Sequence, residues 1–234
     1  MKKQVKKEQK IQKPKFMIFT DKDGTLNLED KELNNILTLI SVMGGMVIPI
    51  TGRTVGDIEE DMRKKKVRMP EIIIGDNGAT IYSTVTNEFL IKRTLEHDKV
   101  MEIVDDFIKN GGKSEFIRYT DGSTIYASDS KDVRDYYKHS KTAVFCEDIY
   151  ESIKQTVDIN KVTLAGSEEQ MTHSAECANG LDFWTDMDKT KFPKKEYGNY
   201  RLDVSQKNIN KGEAVRRNYY TTKTKIWIYM CRKW

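Results

Sequence analysis

Apolar runs and amphipathic segments alternate through the first third of the chain. The apolar run at 16–20 ends at an aspartate, which is typical of a buried strand. Residues 31–45 carry leucine and isoleucine at helical spacing and stop at a Gly-Gly pair, which predicts a helix. The same arguments predict a strand over 46–50, a charged helix over 55–67, and extended chain over 71–82 interrupted by an Asn-Gly turn. This alternation predicts an α/β fold in which crossover helices join parallel strands.

The pattern changes from about residue 83, where hairpins and shorter helices replace the alternation. The predicted helices cover 98–112 and 147–156, a hairpin surrounds Asp121-Gly122, and strands are expected at 161–166, near 181–184 and at 200–205. We therefore expect an inserted α+β domain. The predicted division is a basic N-terminal tail at 1–15, a core formed by 16–82 and 203–234, and an inserted cap at 83–202.

Composition narrows the function classes. The 234 residues include 40 basic and 36 acidic side chains, so the basic N-terminus is interpreted as a solvated tail and no nucleic-acid partner is expected. No apolar run approaches the ~20 residues of a membrane span, and no membrane partner is expected. The three cysteines are widely spaced without a CxxC pair and the three histidines are scattered. This argues against disulfides, zinc and a Ser-His-Asp triad, and favours a reducing cytoplasm.

Polar residues follow the predicted parallel strands, at the edge of the sheet where ligands bind. They are Asp21, Asp23, Thr51 and Asn77. The letters DKDG also open calcium loops, and Glu32 stands at position twelve of such a loop. However, Leu26 occupies the position that requires glycine, and a strand precedes the loop where a helix is needed. The calcium interpretation is therefore disfavoured.

Two carboxylates two residues apart suit phosphoryl transfer. One can attack phosphorus, while the second protonates the leaving oxygen and then activates water. Gly24 permits a sharp turn after the pair and Thr25 can hold that turn. A carboxylate that meets a phosphate dianion needs positive charge nearby, typically magnesium with a lysine or arginine.

Three segments carry a family resemblance. In chain order, FMIFTDKDGTL, VIPITGR and INKGEAV resemble the first three motifs of the haloacid dehalogenase (HAD) superfamily of phosphatases, and IIIGDNGATIY resembles the exit point toward a C2-type cap. The resemblance implies a Rossmann-like parallel-sheet core with a cap of the C2B, Cof-like branch. Lys22 departs from the pattern, because an apolar or aromatic residue is common between the two aspartates.

The resemblance also implies roles for individual residues. Asp21 would be the nucleophile and a Mg²⁺ ligand, and Asp23 the general acid and base with its carbonyl on the metal. Lys211 would neutralise charge and Thr51 would bind the phosphoryl oxygens. Gly52 is placed beside Thr51 in the phosphate-binding segment. Arg53 and Asn77 are weaker candidates for the same role, since either could face substrate or simply stabilise a turn.

The family's fourth motif, roughly G-(D/N)-x-x-x-D after the lysine helix, is not found after Lys211. The segment 218–234 contains two of the three tryptophans, and Thr and Tyr break its helical face. Codons can be chosen so that reading one base later yields a helix and an apolar strand that enters a fourth-motif-like turn. We hypothesise that the C-terminus is out of frame, which the gene sequence tests. We accordingly expect weak Mg²⁺ binding, low activity and a sheet that lacks the strand beside its first strand.

The resulting expectation is a magnesium-dependent phosphomonoester hydrolase that works through an aspartyl-phosphate. Its substrate would be a small phosphorylated metabolite, with a sugar phosphate favoured by the resemblance. A phosphomutase or phosphotransferase, and a non-catalytic remnant, stay open as alternatives. Oligomeric state is not predicted. Three charged residues of the cap could contact substrate or lie on the surface; they are Arg118, Asp121 and Lys161.

Overall fold

The structure is a computed structural model that describes residues 13–22, 30–189, 200–222 and 225–228. The first sheet has the order β12-β1-β2-β3-β4-β5, in which the first four strands run parallel to one another, and β4 pairs antiparallel with both β3 and β5. Its strands are β1 (Phe16–Asp21), β2 (Gly45–Ile50), β3 (Ile72–Gly75), β4 (Thr80–Ser83), β5 (Glu88–Lys92) and β12 (Lys225–Ile228). Its helices are α1 (Asp30–Val42), α2 (Val55–Lys64) and α7 (Lys211–Thr222).

Helices cover both faces of this sheet, as the apolar parallel strands require. On one face, Phe19 and Ile48 belong to a buried cluster that includes Ala214 of α7. On the other face, Ile73 packs in a cluster with Ile58 of α2. The carboxyl ends of β1, β2 and β3 therefore share one edge of the sheet, next to the start of α7.

The second sheet has the order β10-β11-β9-β6-β7-β8. Its strands are β6 (Ile117–Thr120), β7 (Ile125–Ser128), β8 (Ala143–Cys146), β9 (Lys161–Gly166), β10 (Phe183–Lys189) and β11 (Tyr200–Gln206). The remaining helices described are α3 (His97–Lys109), α4 (Lys131–Tyr137), α5 (Ile149–Gln155) and α6 (Glu168–Gly180). Helices α3, α5 and α6 share the largest buried cluster with this sheet, around Phe107, Ile153 and Leu164.

Alternation along the second sheet separates an apolar face from a polar face. Val162 and Leu164 of β9 point into the helical cluster, and so do Leu202 and Val204 of β11. The alternate residues of these two strands, which include Lys161 and Asp203, therefore point to the opposite face. That face looks toward the first sheet.

The second sheet lies against the first through several direct hydrogen bonds. The Val55 amide donates to the Gly122 carbonyl at 3.0 Å, and the Lys141 amide donates to the Glu60 carboxylate at 2.9 Å. The Ser140 hydroxyl donates to Asp57 Oδ1 at 3.2 Å. The structure thus describes the two sheets in a closed arrangement.

The predicted α/β fold with a parallel core is confirmed, but the sheets are divided differently from the predicted limits at 83 and 202. Strand β5 pairs with β4 in the first sheet, and β11 pairs with β9 and β10 in the second. The reason is local: a turn at Asn87, with φ of 57°, folds β5 back onto β4 as a hairpin. Five of the strands and α-helices had not been predicted: β5, α4, β8, α6 and β12.

The expectation that the sheet lacks a strand beside its first strand is wrong. Strand β12 pairs in parallel with β1, with Phe16 opposite Lys225 and Phe19 opposite Ile228. Ile226, Trp227 and Ile228 are β-branched or aromatic, which suits a strand. Residues 229–234 lie outside the described part of the chain.

Within the described ranges, no helix is long and apolar enough to span a bilayer.

Candidate active site

The site begins with an ion pair between the first strand and the last helix. Asp21 is the final residue of β1 and Lys211 the first residue of α7. Lys211 Nζ donates to Asp21 Oδ1 at 2.9 Å, and the two side chains are 36% and 26% exposed. Partial exposure leaves the carboxylate accessible from the cavity, while the lysine holds one of its oxygens in a fixed direction. The pair places a partly exposed carboxylate next to a positive charge.

A tight turn follows β2 beside this pair. The buried Thr51 accepts a hydrogen bond from the Arg53 amide on its side-chain oxygen at 3.1 Å. Its own amide donates to the Ile74 carbonyl at 3.0 Å, and its carbonyl accepts from the Asn77 amide at 2.9 Å. The turn is therefore bound to the end of β3 on both sides.

Asn77 lies against this turn in an unusual backbone conformation. Its φ of 57° and ψ of 21° are left-handed, a region that asparagine tolerates better than most residues. A Cβ atom at Gly52 would lie 2.9 Å from Asn77 Oδ1, so glycine allows the side-chain amide to approach closely. These two residues form a compact polar surface beside Asp21.

The polar face of the second sheet closes the opposite side and leaves a cavity of about 790 Å³. Its charged lining includes Asp21 and Lys211 from the core, and Arg118, Lys161, Arg201 and Asp203 from the second sheet. Tyr137 of α4 also faces it, and the Arg118 guanidinium is hydrogen-bonded to that phenol. A mixed lining of cations, carboxylates and tyrosines suits an anionic ligand that carries hydroxyl groups.

A buried charge cluster at the wall of the cavity joins the two sheets. Lys161 Nζ donates to the Gly52 carbonyl at 2.7 Å, and lies 3.6 Å from Asp203 Oδ2 and 3.9 Å from Asp76 Oδ1. Asp76 Oδ1 also accepts from the Thr120 hydroxyl at 3.1 Å, whereas its buried Oδ2 has no hydrogen-bond partner in the described part of the chain.

The pKa values of the two carboxyl groups in this cluster are shifted in opposite directions. Burial raises the pKa of Asp76 to about 6, despite the nearby Lys161 ammonium and the Thr120 hydrogen bond. Burial also opposes ionisation of Asp203, but Lys161, Arg118 and Arg201 together hold its pKa below its ordinary value. The positive charge of the second sheet is therefore concentrated around Asp203.

A Mg²⁺ ion at this site would require oxygen ligands beside Asp21. Asp21 supplies the hard carboxylate oxygen that Mg²⁺ prefers. No group of three or more His, Cys, Asp or Glu side chains in the described ranges is arranged to hold a metal. Asp23, the second predicted ligand, lies outside the described residues, so Asp21 is the predicted ligand whose chemical type the described residues match.

The structure brings most predicted site residues together. Asp21, Gly52, Arg53, Asn77 and Lys211 line the cavity, whereas Thr51 is fully buried behind it. Among the three cap candidates, Arg118 and Lys161 line the cavity. Asp121 instead accepts hydrogen bonds within its own turn, from the Ser123 and Thr124 amides at 2.9 and 2.8 Å.

Sequence reasoning missed several lining residues, namely Tyr137, Asp186, Arg201 and Asp203. Alternation in YRLDVS could have shown that Arg201 and Asp203 share a face opposite Leu202 and Val204. It could not have shown that this face looks toward Asp21.

Comparison with solved structures shows the fold. A haloacid dehalogenase-like hydrolase from Bacteroides thetaiotaomicron aligns with a TM-score of 0.68 and 18% identity, over 91% of this chain and 80% of that one. A similar hydrolase from B. subtilis aligns with a TM-score of 0.66 and 15% identity, over 89% and 79%. A HAD subclass IIB sugar phosphatase aligns with a TM-score of 0.64 and 14% identity, over 91% and 79%.

Comparison of the sequence itself points the same way. No curated protein matches the chain. The family model of haloacid dehalogenase-like hydrolases, however, matches residues 18–225. That match runs from β1 to β12 and includes Asp21, Thr51 and Lys211. The chain belongs to the haloacid dehalogenase-like hydrolase family.

Proposed function

We propose that this chain is a phosphomonoester hydrolase that acts on a small phosphorylated metabolite through an aspartyl-phosphate. The observation that carries the proposal is the 2.9 Å contact between Lys211 Nζ and Asp21 Oδ1, at the carboxyl edge of the parallel strands and facing the cavity between the two sheets. A carboxylate beside an ammonium can approach a phosphate dianion that it would otherwise repel.

In the first step, an oxygen of Asp21 forms a bond to phosphorus as the bond to the leaving alcohol oxygen breaks. The Asp23 carboxyl gives its proton to that oxygen, a role assigned by the first motif. In the second step, water attacks phosphorus, the bond to Asp21 breaks, and the water's proton passes to Asp23. Lys211 offsets negative charge in both steps.

The turn after β2 is proposed to hold the phosphoryl oxygens. The Thr51 hydroxyl, the backbone at Gly52 and the Arg53 side chain are the candidate donors, and Asn77 supports the turn from below. The hydrogen bonds of the turn to β3 support this role, because donors fixed before the substrate arrives need no reorganisation during the reaction. Thr51 is buried, so its hydroxyl would act from the floor of the site.

We include Mg²⁺ in the proposal, since enzymes of this family generally use it. Asp21 and the Asp23 carbonyl are the residues named by the motif, and bound Mg²⁺ would offset the charge of the phosphoryl group. Addition of EDTA, then Mg²⁺, tests this part separately from the assignment of the nucleophile. A reducing cytoplasm is proposed as the compartment.

The substrate class is proposed to be a sugar phosphate. The mixed lining of Arg118, Arg201, Asp203 and Tyr137 supports a ligand that both donates and accepts hydrogen bonds. One structural neighbour is named as a sugar phosphatase, which agrees with this class.

The test is hydrolysis of a generic aryl phosphate by the purified chain, compared with its Asp21→Asn variant. We expect Mg²⁺-dependent release of phosphate from the first and none from the second, with matched melting temperatures. Turnover by the variant at the original rate would refute the assignment of Asp21. No turnover by the unmodified chain across a panel of phosphate esters would favour the non-catalytic alternative.

The closed arrangement of the sheets keeps a phosphotransferase or phosphomutase as a second candidate. The direct hydrogen bonds around Val55, Asp57 and Glu60 hold the second sheet over the cavity. A site that excludes water can pass the phosphoryl group to a sugar hydroxyl instead. Product analysis with a sugar phosphate and excess sugar separates the candidates.

A further inference from the structure

Lys161 is a buried lysine whose role the proposed reaction leaves open. It is the first residue of β9 and only 6% exposed. Burial of an ammonium is costly unless it is paired and hydrogen-bonded. Its side chain crosses from the second sheet to the first, where its hydrogen bond at 2.7 Å ends on the Gly52 carbonyl.

The acceptor of this hydrogen bond lies in the middle of the turn after β2. The carbonyl of Gly52 lies between the residues whose hydrogen bonds shape the turn, Thr51 on one side and Arg53 on the other. A charge-assisted bond to a backbone carbonyl restrains the orientation of the peptide unit. The same peptide unit carries the Arg53 amide, which donates to Thr51 Oγ1. Rotation of the Gly52 carbonyl would therefore turn that amide as well.

Two carboxylates hold the ammonium in place. Asp203 Oδ2 lies 3.6 Å from it within the second sheet, and Asp76 Oδ1 lies 3.9 Å from it at the end of β3. Thr120 of the second sheet donates to the same Asp76 oxygen at 3.1 Å. The contact with Gly52 is thus made across 109 residues of sequence, and it requires the second sheet to lie against the first.

We propose that Lys161 is a positioning residue: its hydrogen bond to Gly52 fixes the Thr51–Arg53 turn in the shape that binds phosphate, and makes that shape depend on closure of the second sheet. The proposal rests on the proposed function for the meaning of the turn. Movement of the second sheet away from the first would break the hydrogen bond to the Gly52 carbonyl and make the turn less ordered. The open site would then bind phosphate more weakly than the closed site, which favours release of product.

The test uses Lys161→Met, which keeps the length of the side chain and removes its charge. The matched control is Lys92→Met. Lys92 of β5 also crosses between the two halves, to Asp158, but it lies away from the cavity. Aryl phosphate kinetics, inhibition by inorganic phosphate and thermal melting are measured for all three proteins.

We expect Lys161→Met to lower kcat/KM for the aryl phosphate about tenfold or more and to weaken inhibition by inorganic phosphate by a similar factor. Lys92→Met should leave both values within about twofold. Ligand-free amide NMR provides a readout of positioning: the Arg53 and Asn77 resonances should move in Lys161→Met and stay in place in Lys92→Met. Unmoved resonances together with unchanged phosphate inhibition would overturn the proposal.

A direct substrate contact would give a different result, with altered kinetics but unmoved turn resonances in the ligand-free protein, and would also overturn the proposal. If Lys161→Met melts below the assay temperature, Lys161→Met/Asp76→Asn, which also removes the buried carboxylate that has lost its cation, replaces it with the same expectations. If the unmodified chain hydrolyses no phosphate ester, the proposed function fails. The resonance comparison still decides whether Lys161 shapes the turn.

Discussion

Lys211 Nζ lies 2.9 Å from Asp21 Oδ1, although 190 residues separate the two in sequence. The contact joins the last residue of the first strand to the first residue of the last described helix. All the elements from α1 to β11, including the whole second sheet, lie between them in the chain. A residue early in the chain and a residue late in the chain therefore meet at the candidate site, and the second sheet, which lies between them in sequence, covers that site.

The first prediction concerns the charge at position 211. Lys211→Met should lower kcat for an aryl phosphate by about 10²–10³, because a donor aimed at developing negative charge is lost. Lys211→Arg should retain part of the activity, since the charge is kept but its geometry changes. Steady-state kinetics at saturating substrate measures the effect.

The control for this prediction is Lys207→Met. Lys207 lies a few residues before Lys211 in the chain, is exposed, and forms an ion pair with Asp182. This variant should keep the original kcat. Equal activity of Lys211→Met and Lys207→Met would show that the ion pair with Asp21 serves packing alone.

The second prediction concerns pH and the buried Asp76. Its folded-state pKa is raised to about 6 from 3.8, so the folded protein binds the proton more tightly than the unfolded chain does. The stabilisation is therefore fully present below about pH 4 and is lost as the pH rises through 6. A shift of about two units corresponds to about 3 kcal/mol. Asp76→Asn should lack this dependence.

Urea unfolding of both proteins between pH 4 and 7 measures this difference. The free energy of unfolding of Asp76→Asn, minus that of the original chain, should increase across the window. The pKa of Asp203 is lowered in the folded protein, so Asp203 contributes a pH dependence of the opposite sign that lies mainly below this window. A pH-independent difference would mean that the two states bind the Asp76 proton equally.

Particular residues show how far the sequence could predict this molecule. The strand before Asp21 and the helix after Thr54 carry strong periodicity, and both were predicted close to their observed bounds. Helix α6 was missed because its segment EEQMTHSAECANG has few apolar positions, and its capping box at Ser167 and Gln170 was overlooked.

The site was predictable on one side only. Asp21, Thr51 and Lys211 lie in motifs whose order and spacing are visible in the chain. Lys161 and Asp203 lie in ordinary alternating strands, and their importance comes from the position of the second sheet over the first. That position depends on many weak contacts between distant residues, such as the Val55 amide with the Gly122 carbonyl, which no local pattern encodes.

The third prediction explains Lys22, the departure within the first motif. Its side chain is buried and forms an ion pair with Asp61 of α2, whose pKa is held below its ordinary value by Lys22 despite partial burial. Lys22→Met should destabilise the fold by about 1–3 kcal/mol, because Asp61 loses its hydrogen-bonded lysine and keeps more distant cations such as Lys65 at 3.8 Å. A double-mutant cycle with Asp61→Asn should give a coupling of about 0.5–3 kcal/mol in urea unfolding. Strict additivity would mean that the pair contributes nothing.

The fourth prediction concerns the close approach of Gly52 and Asn77. In Gly52→Ala, the added Cβ would lie 2.9 Å from Asn77 Oδ1, so the amide must shift away from the turn. We expect KM for an aryl phosphate to increase several-fold with little change in melting temperature, because the side chain is displaced rather than the backbone.

Gly180→Ala is the matched control, since a Cβ at Gly180 meets no atom within 4 Å. It should leave KM unchanged and, at the end of α6, should stabilise the fold by up to about 1 kcal/mol. If Gly52→Ala keeps the original KM, the polar surface formed by Gly52 and Asn77 takes no part in holding phosphate.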